Sequence, residues 1–384
     1  MRLLPRLALP CAVLAAVLSA PAIASAHADG FGSGDPGYVY LNNNTAGANT
    51  ISGFSRSADG SLTPLQGSPF QAGGAGLGAG LASQGAIETA DGRYVLTVDA
   101  GSNQISVLRI GWDGTLSPVA GSPFSSNGIE PDSITVSHGL VYVANTGAGG
   151  SNYTGFILAP GGQLIPLWGS TVTLPTGANP GDVLLNGDDT KLVGMRVGTS
   201  QIDSFWLDWS GRPHPAPGSP FNAQGLGPFG SQFRPTNPSQ LFVDNAHNGT
   251  DLGTVSAFND LPNGTLSSIG SSPFADFQTA PCWQVITPDG RYLYALDTGS
   301  GYISAYAITD RGTLSLLSNT PISATPGVTG TDITLSPDGH TLYLNMGKVN
   351  GVGEFRVDGG TVTQLPGSPV PAGGSGTTSG ITAS

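Results

Sequence analysis

The chain has 384 residues, with 13 Lys and Arg against 25 Asp and Glu, a formal net charge of −12, 59 Gly, 30 Pro and two Cys. An acidic, Lys-poor surface excludes nucleic acid and anionic membranes as partners. Two cysteines, one of them in an N-terminal leader, exclude a disulfide framework, so stability has to come from packing.

The first element in chain order is that leader. Arg2 and Arg6 precede an apolar run from Leu7 to Leu18 and the small residues of "AIASAHADG", the pattern of a secretory signal peptide over 1–26. The run is too short to span a bilayer. Cleavage after Ala26 leaves a flexible segment over 27–36 and an exported, soluble, extracellular chain, expected to be a monomer. Without the two leader arginines its net charge becomes −14.

From Gly37 onward the sequence repeats. One tag reads "GSPF" at Gly67, Gly121 and Gly218, "SSPF" at Ser271 and "GSPV" at Gly367, with "GSTV" at Gly169 and "NTPI" at Asn319 as degenerate copies. A second tag is a glycine turn at Gly60, Gly114, Gly162, Gly211, Gly264, Gly312 and Gly360, spaced by 54, 48, 49, 53, 48 and 48 residues. Within the unit from Cys282, "WQVIT", "YLYAL", "ISAYAI" and "TLSLL" are four β-rich segments separated by turns. Seven units of roughly 50 residues with four antiparallel strands each predict an all-β, seven-bladed β-propeller over 37–384.

The ends complete the pattern. The first unit starts at "GYVYLN", which matches a second strand, while "SGITAS" at the C-terminus matches an inner strand with nothing after it. The C-terminal strand is therefore expected to close the first blade as a clasp, removing the open edges of an unclosed array.

The units "ADGRYVLTVD", "PDGRYLYALD" and "PDGHTLYLNM" resemble the lactonase family of seven-bladed propellers, which includes bacterial 6-phosphogluconolactonase and fungal carboxymuconate cyclase. "YVANTGAG" and "YALDTGSG" are also similar to the YVTN-type repeats of cell-surface propellers. The resemblance implies a binding site at one mouth of the central channel. Enzymatic members carry a Pro-His-Ser and a Pro-Arg-His pattern there, with a Glu. The matching segments here read Pro131-Asp132-Ser133 and Pro281-Cys282-Trp283. Opening a lactone on this chain therefore needs another acid or base and another cation for the oxyanion.

Aligning the inner strands places Gly85, Ser133, Asp182, Ser231, Trp283, Asp332 and Gly380 at one position near the mouth, preceded by Gln84, Asp132, Gly181, Gly230, Cys282, Thr331 and Ser379. Asp132, Asp182 and Asp332 are the candidate catalytic carboxylates, and Arg196 and Arg234 the candidate cations. Ser133, Ser231, Trp283 and His247 are candidate ligand-binding groups. Trp283 either stacks on a ligand ring or packs into the channel. No compact metal motif and no cofactor loop occurs, so neither a metal nor a cofactor is expected. The first functional reading is a binding propeller for a small polar ligand, a glycan or an extracellular protein. The alternative is a lactone hydrolase or the related ring-closing cyclase.

Overall fold

The computed structural model describes residues 37–325, 327–374 and 378–384. The leader and the 27–36 segment lie outside these. The rest forms seven antiparallel sheets, each read from channel to rim as an inner, a second, a third and an outer strand. The inner strands are Ile381–Ala383 in blade 1, Ile87–Ala90 in blade 2, Pro131–Ser137 in blade 3, Pro180–Leu185 in blade 4, Pro228–Arg234 in blade 5, Pro281–Ile286 in blade 6 and Ile333–Leu335 in blade 7. Both faces of the second and third strands are buried, because each blade packs against a neighbour on either side. No helix among the described residues is long and apolar enough to cross a membrane.

The clasp is present. Ile381, Thr382 and Ala383 pair antiparallel with Leu41, Tyr40 and Val39. The pairing is extended by the Tyr38 and Ser384 backbones, which exchange bonds of 3.1 and 2.8 Å, and by Ser379 N–H donating to Asn42 O at 2.8 Å.

The two tags have physical causes. Six of the seven turn glycines, from Gly60 to Gly312, adopt φ of +80 to +90°, a left-handed conformation that disfavours any residue with a Cβ. In the "GSPF" tag the serine replaces a ladder bond where the outer strand breaks. Ser68, Ser122, Ser170, Ser219, Ser272 and Ser368 each accept, at Oγ, the N–H of a third-strand residue at 2.6–3.0 Å. Blade 6, whose tag reads "NTPI", needs no such bond, because its outer strand runs unbroken over Leu314–Pro321.

Blades are joined near the rim by a recurring hydroxyl. Tyr40, Tyr94, Tyr142, Tyr294 and Tyr343 on second strands each donate to a carbonyl in the next blade's turn between third and outer strands, at 2.6–2.8 Å. Blades 4 and 5 lack that tyrosine. Lys191 Nζ donates to Leu261 O at 2.6 Å in one, and Arg234 to Thr309 O at 2.9 Å in the other.

Candidate functional site: a plugged channel

The strand registers fix which residues share a level in the channel. Ser133, Asp182 and Trp283 pair with Ala144, Met195 and Leu296, one residue beyond the bulge that follows each leading proline. In blade 5 the residue paired one step further in is Ser231, opposite Val243, so Gly230 and not Ser231 occupies the ring position. In blade 2, Ile87 pairs with Thr97, so Ala86 and not Gly85 does. The aligned ring is therefore one residue out in these two blades, whose inner strands meet the second strand in a different register.

Ring side chains join neighbouring blades at three of the seven seams. Ser133 Oγ accepts Val183 N–H at 3.1 Å across the blade 3–4 seam. Asp182 Oδ2 accepts Ser231 N–H at 2.9 Å and Ser231 Oγ–H at 2.5 Å across the 4–5 seam. Asp332 accepts Ile333 N–H at 2.8 Å and, across the 7–1 seam, Ile381 N–H of the clasp at 3.0 Å. Ser133, Ser231, Asp182 and Asp332 therefore act as staples.

The mouth is filled by the chain itself. The Gly-rich connection after blade 1 ends in Leu81–Gly85, which crosses the channel. Leu81 N–H bonds Ser379 Oγ at 3.0 Å beside the clasp, and Ser83 Oγ donates to Asp132 O of blade 3 at 2.6 Å. Gln84 N–H donates to Gly181 O of blade 4 at 2.9 Å. The Gln84 side chain accepts Gln284 N–H of blade 6 at 3.1 Å and donates to Gln284 O at 3.2 Å. Trp283 is buried, donates Nε1–H to Ser83 O at 2.7 Å and meets Phe229 edge-on at 5.3 Å. Its indole is packing around the plug. Gly230 makes room for it, since a Cβ there would collide with Gln84 Oε1.

Neither candidate arginine faces a channel carboxylate. Arg196 ends the second strand of blade 4 and forms a two-bond pair with Asp203 on the third, at 2.5 and 2.6 Å. The same two positions hold Asp99 and Ser106 in blade 2, and Asp297 and Ser304 in blade 6, also bonded to each other. The Arg196–Asp203 pair is thus the ionic version of a repeated hairpin link. Arg234 lies at the far end of its inner strand, bonded to Gly290 O, Gln240 Oε1 and Thr309 O at 2.8–2.9 Å. His247 is exposed in a loop of the mouth face, beside Gly227. Asp132 is buried without a partner for Oδ1 among the described residues. Burial, then Glu130 and Asp182, hold its carboxyl well above the usual range.

Beneath the plug a cavity of about 260 Å³ lies between the inner strands of blades 2 to 5, lined by Gln84, Glu88, Thr135, Asp182 and Gln232 among others. Glu88 was not legible as a site residue, although an acid stands where other inner strands carry Thr135, Leu184 and Val285. Burial, with smaller contributions from Asp332 and Asp182, pushes its pKa up to about 8. Burial likewise raises Asp182 to about 7 against its hydroxyl and amide bonds, and Asp332 to about 8. The Cys282 thiol is buried and pushed up by burial, which leaves it inert as a nucleophile.

The fold is a seven-bladed β-propeller, all-β among the described residues. Among solved structures it is similar to a protein from Lactobacillus plantarum (TM-score 0.72, 16% identity, 91% of this chain and 99% of that one). It is also similar to a Bacteroides uniformis protein proposed to be a 6-phosphogluconolactonase (0.71, 18%, 91% and 99%), and to the periplasmic gluconolactonase PpgL of Pseudomonas aeruginosa (0.69, 17%, 91% and 98%). At these identities the likeness is one of fold. No family model and no curated protein sequence matches the chain.

Proposed function

We propose that this protein is an exported binding propeller that engages a partner outside the cell through its mouth face, and that it does not turn over a lactone. The observation that carries this reading is the Leu81–Gly85 plug. It fills the space where a substrate would sit, while Arg196 and Arg234 are consumed in internal bonds. Among the described residues, an oxyanion forming in the channel would meet carboxylates and no cation. The loops around the closed mouth present large apolar side chains: Leu226, Leu252 and Phe277 are 58–66% exposed. Apolar groups on an otherwise polar rim fit a macromolecular partner, an exported protein or a glycan, better than a small polar ligand in the channel.

A second reading, lactone hydrolysis or the related cyclisation, rests on Glu88. A carboxyl held protonated near neutral pH and facing a cavity is placed as a general acid. Incubating the purified protein with a panel of γ- and δ-lactones and titrating released acid separates the two. No release above buffer is expected. Turnover that disappears in Glu88→Gln would overturn the binding reading in favour of the hydrolase.

A further inference from the structure

The seven blades serve as internal controls for one another, and the seam between blades 5 and 6 departs from the other six. The residue after the outer strand is Ala72, Ser126, Leu174, Ala223, Ile322 or Ala372 elsewhere; here it is Asp276. The residue before the end of the second strand is Asn42, Val98, Ala144, Met195, Leu296 or Asn345 elsewhere; in blade 5 it is Asp244. On the third strand, a position that is Phe54, Leu108, Phe156, Phe205, Phe258 or Phe355 elsewhere is Tyr306 in blade 6. All three exceptions fall in one place, beside Asp297.

The local bonding is lopsided. Asp276 takes Gln278 N–H at 2.7 Å on Oδ1, and Asp297 takes Ser304 Oγ–H at 2.6 Å on Oδ2. Their carboxyl groups are near neighbours, each acting on the other's titration. Asp276 Oδ2, Asp297 Oδ1, both oxygens of Asp244 and the Tyr306 hydroxyl are buried and have no partner among the described residues. Tyr306 is fully buried; burial first, then the charges of Asp276, Asp297 and Asp244, hold its hydroxyl well above the usual tyrosine range. Buried oxygens without a partner, on three residues that replace apolar, hydroxyl or amide side chains at one seam, are costly unless something positive sits among them.

We propose that this pocket binds a divalent, oxygen-preferring cation of the Ca²⁺ class, held directly by Asp276 and Asp297 and through water by Asp244 and Tyr306. No group of three acidic, His or Cys side chains among the described residues is placed to hold a metal ion by itself, so only two carboxylates are assigned as direct ligands and the other two contacts run through water. Hard cations commonly keep such waters. The site joins blades 5 and 6 on the mouth face, next to Phe277. Its Asp244 lies on the second strand of blade 5, one strand out from the channel, and the channel residue Asp182 acts on it.

The test is to strip the exported chain with EDTA and titrate it with CaCl₂ at pH 7.5 by calorimetry, reading the melting temperature alongside. One ion per chain and a higher melting temperature are expected. Asp276→Ala installs the residue found at this position in three other seams. It should fold in EDTA and abolish both effects. Tyr306→Phe, which matches five other blades, should fold and weaken Ca²⁺ binding about tenfold, as loss of an outer-shell partner of a metal does. The proposal is overturned if stripped wild type shows neither heat nor stabilisation, or if Asp276→Ala binds Ca²⁺ as wild type does.

Discussion

Asp182 in the blade 4–5 seam and Asp244 in the blade 5–6 seam are both buried between blades, yet their surroundings are opposite. Asp182 faces Ser133, Ser231 and a main-chain N–H, and one oxygen is bonded twice. Asp244 has Asp276 and, more weakly, Asp182 itself acting on it, and neither of its oxygens is bonded among the described residues. The first is a side chain that the repeat recruited to hold one blade to the next. The second is a departure from the repeat that the propeller does not need. In a molecule built from seven similar copies, residues that recur in role explain the fold, and residues that break the pattern are where a specific function is to be sought.

The largest effect should come from the clasp, which belongs wholly to the first kind. Deleting Thr378–Ser384 removes the inner strand of blade 1 and leaves the Asp332 carboxylate half unpaired, and should lower the melting temperature by more than about 10 °C. An unchanged value would show that the ring closes without it. Next, Asp332→Ala orphans two buried N–H groups and should cost about 2–5 kcal/mol in denaturant unfolding. Asp332→Asn, which keeps one acceptor, should cost less. If both variants are silent, the staple account fails.

A titration sharpens the same contrast. Glu88, Asp182 and Asp332 all have folded pKa values raised to about 7 or 8, above their unfolded values near 4. The folded state therefore binds more protons than the unfolded one between about pH 4 and 8. Stability from these groups is full below pH 4 and lost as pH rises to 8. The melting temperature should fall across pH 5 to 8, and Glu88→Gln should flatten the fall. A rise over that range would contradict the burial assigned to the channel. The smallest effect is at the rim: Tyr142→Phe removes one hydroxyl bond to Gly211 O and should cost about 1 kcal/mol, without changing any ligand or metal response.

The blade count, four-stranded units and closure were legible because turn glycines and apolar runs are local and repeat at a fixed spacing. The chemistry was less so. Arg196 and Arg234 read as free cations because Asp203 and Gly290 are brought to them only by the hairpin and by the next blade. The plug was invisible because Leu81–Gly85 lies in a run of small residues without periodicity, and its partners come from five other blades. Trp283 was readable as either stacking or packing until Ser83 O was found on its N–H. The Asp276 anomaly could have been read from the sequence by comparing the second residue after each "SPF", since it alone is charged.

The central claim is that ring carboxylates hold the N–H groups of the following blade. Hydrogen exchange read by mass spectrometry on peptides covering Ser231 and Ile381 tests it most directly. In Asp182→Ala the Ser231 peptide should exchange faster while the Ile381 peptide stays protected, and Asp332→Ala should show the reverse. Protection that is unchanged in both variants, or lost uniformly around the ring, would contradict the account.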